Sequence, residues 1–195
     1  MAINPERYWT PAEYLAFERE QEEAKHEYLD GSIIPMVETI RGMAGASLAH
    51  NRIVSNVVIG LGIQMRGRPC DVFSGDMRLH VPATGLYTYP DIAVLCEEPQ
   101  FVDDQLDVLL NPNLIIEVLS PSTEAYDRGA KFDHYRSIES LRTYLLIAQD
   151  VAHVEQFQRQ ENGWLLTVAK GLESSVRLES LSCELVLAEV YDRVL

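Results

Sequence analysis

Cysteine, basic side chains and long apolar runs are all scarce in this chain, and each scarcity excludes something. Among 195 residues there are three cysteines, Cys70, Cys96 and Cys183. The set is odd, widely spaced and without a Cys-x-x-Cys, so neither a disulfide framework nor a zinc site is expected. The chain therefore reads as a reduced, cytoplasmic protein. No stretch approaches the roughly 18 consecutive apolar residues of a membrane span. The opening, Met1 to Arg7, lacks the basic-then-apolar pattern of a secretory signal. No repeat or low-complexity linker appears, so residues 1–195 are read as one domain, long enough to bury a core unaided. Lys and Arg number 16 against 30 Asp and Glu, a formal charge of −14. Proteins that coat nucleic acid carry the opposite balance, because cation–phosphate contacts release counterions. Broad DNA coating is thereby excluded, but a local basic patch is not. Residues 41–90 are the one net-basic segment, with Arg41, Arg52, Arg66, Arg68 and Arg78 against two acids. Any DNA would be expected to meet that segment, with steep salt dependence.

What is present is an alternation of helical and extended signals. Thr10-Pro11-Ala12-Glu13 combines an N-cap, a proline at the first helical position and an acidic first turn, predicting a helix to about residue 23. Residues 25–36 read as a hairpin around Asp30-Gly31. Ala46, His50, Ile53, Val54, Val57, Val58, Leu61 and Met65 form a single apolar stripe at helical period, so a core helix carries one histidine in its stripe. Residues 72–81, 87–96 and 113–119 read as three strands, the last two dense enough in apolar residues to be buried on both faces. A second helix is predicted over 126–141 and a further strand over 143–148. A hairpin follows, turning at Asn162-Gly163, and then a short apolar tail. The plan is mixed α/β.

Two carboxylates stand where an apolar strand does not ordinarily tolerate them. Asp91 follows Tyr89-Pro90 and precedes Ile92-Ala93-Val94-Leu95, and Glu117 interrupts Leu114-Ile115-Ile116-Glu117-Val118-Leu119. Alone, each could be an acid hydrogen-bonded at a strand end. Side by side on neighbouring strands they would repel each other unless a cation intervened. Mg²⁺ takes oxygen ligands and keeps waters, so it suits such a pair. An acid followed two residues later by lysine is a nuclease arrangement, but Leu119 holds that position here. The nearest candidate is Lys131, which is i+4 from Asp127 and could equally form a surface ion pair with it. His50 could be a satisfied core histidine. Trp9, Trp164 and the Tyr87-Thr88-Tyr89 run read as packing residues.

Taken together, Tyr89-Pro90-Asp91, the run from Leu114 to Thr123 (LIIEVLSPST) and the run from Tyr126 to Arg136 (YDRGAKFDHYR) resemble the Uma-two family of bacterial restriction-endonuclease-like proteins. The likeness extends to Tyr28-Leu29-Asp30-Gly31, to Ala44 through His50, to Leu141 through Ile147 and to Trp164. It implies the PD-(D/E)XK nuclease fold: a restriction-endonuclease-like mixed β-sheet flanked by helices, with β-rich N-terminal and C-terminal additions. Residue by residue, the resemblance makes Asp91 the motif aspartate and Glu117 the second acid, with the Val118 backbone carbonyl as third metal ligand. Lys131 becomes the lysine displaced from strand to helix. The first core helix of the superfamily often supplies a glutamate, and here it offers His50; Glu27 and Asp76 are weaker candidates. The implied activity is a Mg²⁺- or Mn²⁺-dependent endonuclease acting on nucleic acid, DNA in the first instance. A homodimer is expected from mechanism and fold analogy, with no membrane partner. The alternative is a non-catalytic module that retains the architecture, for which the acidic charge and Leu119 speak.

Overall fold

The computed structural model describes residues 7–22, 24–36 and 46–195. Helix α1 (Pro11–Glu18) starts at a complete capping box. The Thr10 side chain accepts from the Glu13 N–H, and the Glu13 carboxylate accepts from the Thr10 N–H. It ends at Glu18, earlier than the acidic run suggested, because the Gln21 amide takes the carbonyl of Phe17. Strands β1 (His26–Leu29) and β2 (Ser32–Pro35) form the expected hairpin, with Asp30 and Gly31 both at positive φ as a tight two-residue turn requires. Helix α2 (Leu48–Gln64) is capped by Ser47 and buries Ile53, Val57 and Leu61 from the predicted stripe. Arg41, Glu23 and the Ala44-Gly45 part of the family resemblance lie outside the described residues.

The two long strands expected over 72–81 and 87–96 are each broken. The first becomes β3 (Asp71–Ser74) and β4 (Arg78–Val81), and the second becomes β5 (Leu86–Thr88) and β6 (Ile92–Leu95). At both breaks the chain crosses between sheets. β4 and β5 belong to a five-stranded sheet ordered β2-β1-β5-β4-β7, and β3 and β6 to a six-stranded one ordered β11-β10-β9-β8-β6-β3. Local residues permit both breaks. Gly75 turns the first strand at positive φ, and Pro90 brings no N–H to the second. The Gly75 N–H then donates to the Asp91 carbonyl at 2.9 Å and ties the two corners together.

The remaining strands are β7 (Val108–Leu109), β8 (Leu114–Val118), β9 (Thr143–Ile147), β10 (His153–Gln160), β11 (Gly163–Lys170), β12 (Ser175–Leu178) and β13 (Cys183–Val186). The β10–β11 hairpin turns at Glu161-Asn162, so Gly163 already pairs with Gln160. Between β8 and β9 the predicted helix is shorter and irregular: α3 (Glu124–Tyr126), a π-helical turn (Asp127–Lys131) and α4 (Phe132–Tyr135). It stops at Tyr135 because side chains take the next carbonyls. The Ser137 hydroxyl bonds that of His134, and the Arg159 guanidinium bonds those of Arg136, Ile138 and Leu141. A last helix, α5 (Leu187–Val190), closes the apolar tail.

Strand alternation divides the core. Ile92 and Val94 of β6 and Leu114, Ile116 and Val118 of β8 pack toward α2, α5 and β12–β13. Ala93, Leu95, Ile115 and Leu119 pack on the opposite face, against the five-stranded sheet and Tyr135. Glu117 therefore shares the second face, under the helical segment that bears Lys131.

The cysteine reading needs correction. Asp71 pairs with Leu95 in the β3–β6 ladder, so Cys70 and Cys96 face each other one step further on, with Cα atoms 4.0 Å apart and a disulfide between them. Spacing in sequence gave no hint of this, because the partnership arises only when β3 pairs with β6. The cysteine count consequently no longer argues for a reduced chain. Among the described residues, no helix is long and apolar enough to cross a membrane.

Candidate active site

The corner at Pro90 opens a fork in the six-stranded sheet. β6 pairs with β8 from Val94↔Leu114 to Ile92↔Ile116 and no further. Beyond that point the Val118 N–H donates to the Asp91 side chain, at 2.7 Å to Oδ2. The Asp91 N–H approaches Glu117 Oε2 at 3.4 Å. The two acids singled out by sequence are thus neighbours, where the strands diverge and the backbone ladder gives way to side chains.

Lys131 comes down from the π-helical turn onto Glu117, with Nζ 2.9 Å from Oε1 and 3.4 Å from Asp127 Oδ1. The Asp127–Lys131 pair exists as i,i+4 spacing predicts, but it is buried under the helical segment and not on the surface. Tyr135 donates its hydroxyl to the same Glu117 oxygen at 2.9 Å. His50 reaches across from α2, with Nε2 3.1 Å from Asp91 Oδ1. The histidine of the apolar stripe thus faces the same cavity as the two acids.

His50, Asp91, Glu117, Val118, Asp127 and Lys131 line one side of a cavity of about 370 Å³. Its other walls come from the β1–β2 hairpin (Glu27, Leu29, Ile34, Pro35, Met36), Tyr89, and Ser120, Thr123 and Tyr126 after β8. Glu27 is brought into the same cavity. It is held by the hydroxyls of Thr88 and Tyr126, the latter at 3.1 Å. Asp76 is not brought in: its side chain is 91% exposed and pairs with Lys25 at the β3–β4 corner. Tyr135, Tyr126, Thr88 and Asp127 were missed as site residues. In sequence a tyrosine on an apolar helix face or a threonine in a strand looks like packing, and only the shared acids reveal the hydroxyls' task.

The electrostatics are those of a site with surplus negative charge. Glu117 is 3% exposed, and burial pushes its carboxyl up to about 8, with Asp127 and Asp91 adding to the rise and Lys131 opposing it. Burial likewise raises Asp127. Burial also pulls Asp91 upward, but the His50 ring, the Val118 N–H and Lys131 outweigh it, and its carboxyl lies below the ordinary value. Lys131 is desolvated, yet Glu117, Asp127 and Glu27 hold its ammonium well above the usual lysine range. One cation is set among four acids.

Among the described residues no arginine of the net-basic middle lines this cavity. Arg52 and Arg68 bond carbonyls of the C-terminal segment, at Arg193 and Leu181, and Arg78 is buried against Tyr89 and Asp107.

Comparison with known proteins agrees with this architecture. Residues 11–189 match the Uma2 family, described as "Putative restriction endonuclease". The uncharacterized protein sll1609 of Synechocystis sp. is 39% identical over 177 residues, covering 90% of this chain and 96% of its own length. A second uncharacterized protein of that organism, slr1290, is 34% identical over 180 residues, covering 92% and 88%. A crystal structure described as a putative nuclease belonging to DUF820, from Anabaena variabilis, superposes with a TM-score of 0.74 at 20% identity, over 94% of this chain and 98% of that one. At that identity it shows the fold, and the fold is shared nearly end to end. With a profile match spanning most of the chain and relatives above a third identical, this protein belongs to the Uma2 family of restriction-endonuclease-like proteins.

Proposed function

We propose that this cavity is the active site of a metal-dependent endonuclease that hydrolyses phosphodiester bonds of DNA. The observation that carries the reading is the contact of the Lys131 ammonium with buried Glu117, at 2.9 Å, beside Asp91. It supplies from a helix the lysine whose strand position Leu119 occupies.

The donor set fits a hard divalent ion. Among the described residues no three His, Cys, Asp or Glu side chains converge as ligands. The cavity offers instead two adjacent carboxylates and a strand carbonyl, the sparse oxygen set that suits Mg²⁺ or Mn²⁺, which retain waters. Asp91, Glu117 and the Val118 carbonyl would hold the ion, and the surplus negative charge around Glu117 is what it would relieve. Bound there, such an ion supplies Lewis acidity toward water and phosphate.

The chain's own residues do the rest. Hydrolysis adds water across a P–O bond, the hydroxyl going to phosphorus and a proton to the departing oxygen. Lys131 cannot be the base that takes a proton from water, because its acids keep it an ammonium. It acts as a hydrogen-bond donor that orients water and stabilises charge on the phosphate oxygens. His50 is a positioning residue for Asp91, and Tyr135 is one for Glu117.

A homodimer is proposed on a separate observation. β11 is an eight-residue edge strand with no neighbour on its outer side among the described residues, and it exposes Leu165, Leu166 and Val168. Long apolar edges without proline or charge are ordinarily covered. Lys170 is the single charge on this one, so two copies pairing antiparallel about Thr167 bring no like charges opposite each other.

Incubating the purified protein with DNA and Mg²⁺ or Mn²⁺ tests the activity. Cleavage that disappears in Lys131→Ala and Asp91→Asn supports it. No cleavage, together with no divalent binding by titration calorimetry, would leave the non-catalytic module.

A further inference from the structure

A double helix presents its phosphates on a convex surface, and proteins that grip it do so with rows of cations that track the backbone. Among the described residues this cavity offers a single lysine and no such row of cations. Its reacting groups are recessed: Glu117 is 3% and Lys131 4% exposed. Its volume, about 370 Å³, lies at the low end of pockets that enclose a small molecule, the scale of one nucleotide and not of a duplex segment. Besides its charged groups the cavity is lined by Leu29, Ile34, Met36 and the rings of Tyr89 and Tyr126, which supply an apolar and aromatic surface. On the bordering elements, Lys25 is held by Asp76, and Arg128 by Glu124 and Glu155.

Building on the nuclease reading above, we infer that the DNA strand this site takes is unpaired, with the nucleotide next to the scissile phosphate inserted into the cavity. Its base lies against the apolar and aromatic surface and its phosphate reaches the acid–lysine group. Stacking on aromatic and apolar side chains is sequence-tolerant and supplies affinity without many phosphate contacts. An acidic protein can use such binding where it could not hold a duplex by charge. A paired base cannot enter, so a duplex is a substrate only where a base is unpaired or flipped out.

Fluorescence anisotropy with a labelled single strand of about 12 nucleotides, a length within the usual single-strand site sizes, and with the same strand annealed to its complement, tests this in Mn²⁺-containing buffer. Cleavage of both forms is followed in parallel. The single strand is expected to bind at least about tenfold more tightly, the scale of one stacked base. Only one or two phosphates are engaged, so the salt slope should be no steeper than about −1.5. Ile34→Asp, at a half-exposed position of β2 that a charge cannot unfold, should remove the preference, and Leu172→Asp, outside the cavity, should leave it. Equal or tighter duplex binding, or an intact preference in Ile34→Asp, overturns the inference. If the duplex is nonetheless cut in a Lys131-dependent way, the nuclease reading survives that result. If neither form is bound or cut, both fall.

Discussion

Glu18 and Glu117 are both buried carboxylates, 4% and 3% exposed, and they are held in opposite ways. Glu18, at the end of α1, accepts the His26 N–H at 2.8 Å, the His26 ring Nδ1 at 2.8 Å and the Tyr89 hydroxyl at 2.9 Å. The Tyr89 hydroxyl in turn accepts from Arg78, which pairs with Asp107, which pairs with Arg19. Donors and acceptors alternate through that network. Glu117 has Tyr135 and Lys131 on a single oxygen and faces Asp91 and Asp127. One buried acid is satisfied by the fold. The other shares one lysine with two further acids, the imbalance on which the proposed metal site rests.

Substitutions can break this contrast. The largest effect belongs to Lys131→Ala, which should lower DNA cleavage by at least about a hundredfold. It should also destabilise the fold by about 3 kcal/mol in urea titrations, because it strips the cation from buried acids. Next comes stability at the two glutamates. Glu18→Gln should cost about 2 kcal/mol through lost charge-assisted hydrogen bonds, whereas Glu117→Gln should be neutral or stabilising without metal while abolishing cleavage. Equal destabilisation by both would erase the distinction.

The pH dependence sharpens the same point. Glu117 has a folded-state value of about 8 against an ordinary 4.5, so the folded chain binds more protons than the unfolded one between them. Stability contributed by this group is fully present below 4.5 and is lost as pH rises through about 8. Divalent ions should therefore bind more tightly as pH rises toward 8, with release of a proton at pH 7, detectable as a buffer-dependent heat in calorimetry. Glu117→Gln should abolish that release. An effect remote from both acids is expected at the Cys70–Cys96 crosslink, which spans a sequence separation of 26. Reduction should lower stability by about 3.5 kcal/mol by the loop-entropy relation, with divalent binding retained. The smallest is Leu166→Lys on the β11 edge, which should shift sedimentation from dimer to monomer and leave folding intact.

Much of the candidate site was legible because the residues are locally improbable. A carboxylate inside Leu114–Leu119 or after Tyr89-Pro90 stands out against its apolar neighbours whatever surrounds it later. Lys131 could be named but not placed, since an i,i+4 partner explains it equally well on a surface. His50 and Glu27 stayed ambiguous because a polar residue in an apolar stripe or strand has a bland account until its partner is known. Tyr135, Tyr126 and Thr88 carried no signal at all.

The sequence by itself determined the mixed α/β plan, the capped start of α1, the core helix α2, the two hairpins and the presence of two misplaced acids. Each of these is set by short-range chemistry: period, caps, and φ at Asp30 and Gly31. Tertiary structure alone decided that two apparent strands bend between sheets, that Cys70 meets Cys96, and that Asp91 and Glu117 lie where β6 and β8 part. It also decided that Lys131 drops onto Glu117 and not into solvent. Those outcomes depend on which strands pair and which faces are covered, contacts between residues far apart in the chain that no local pattern specifies.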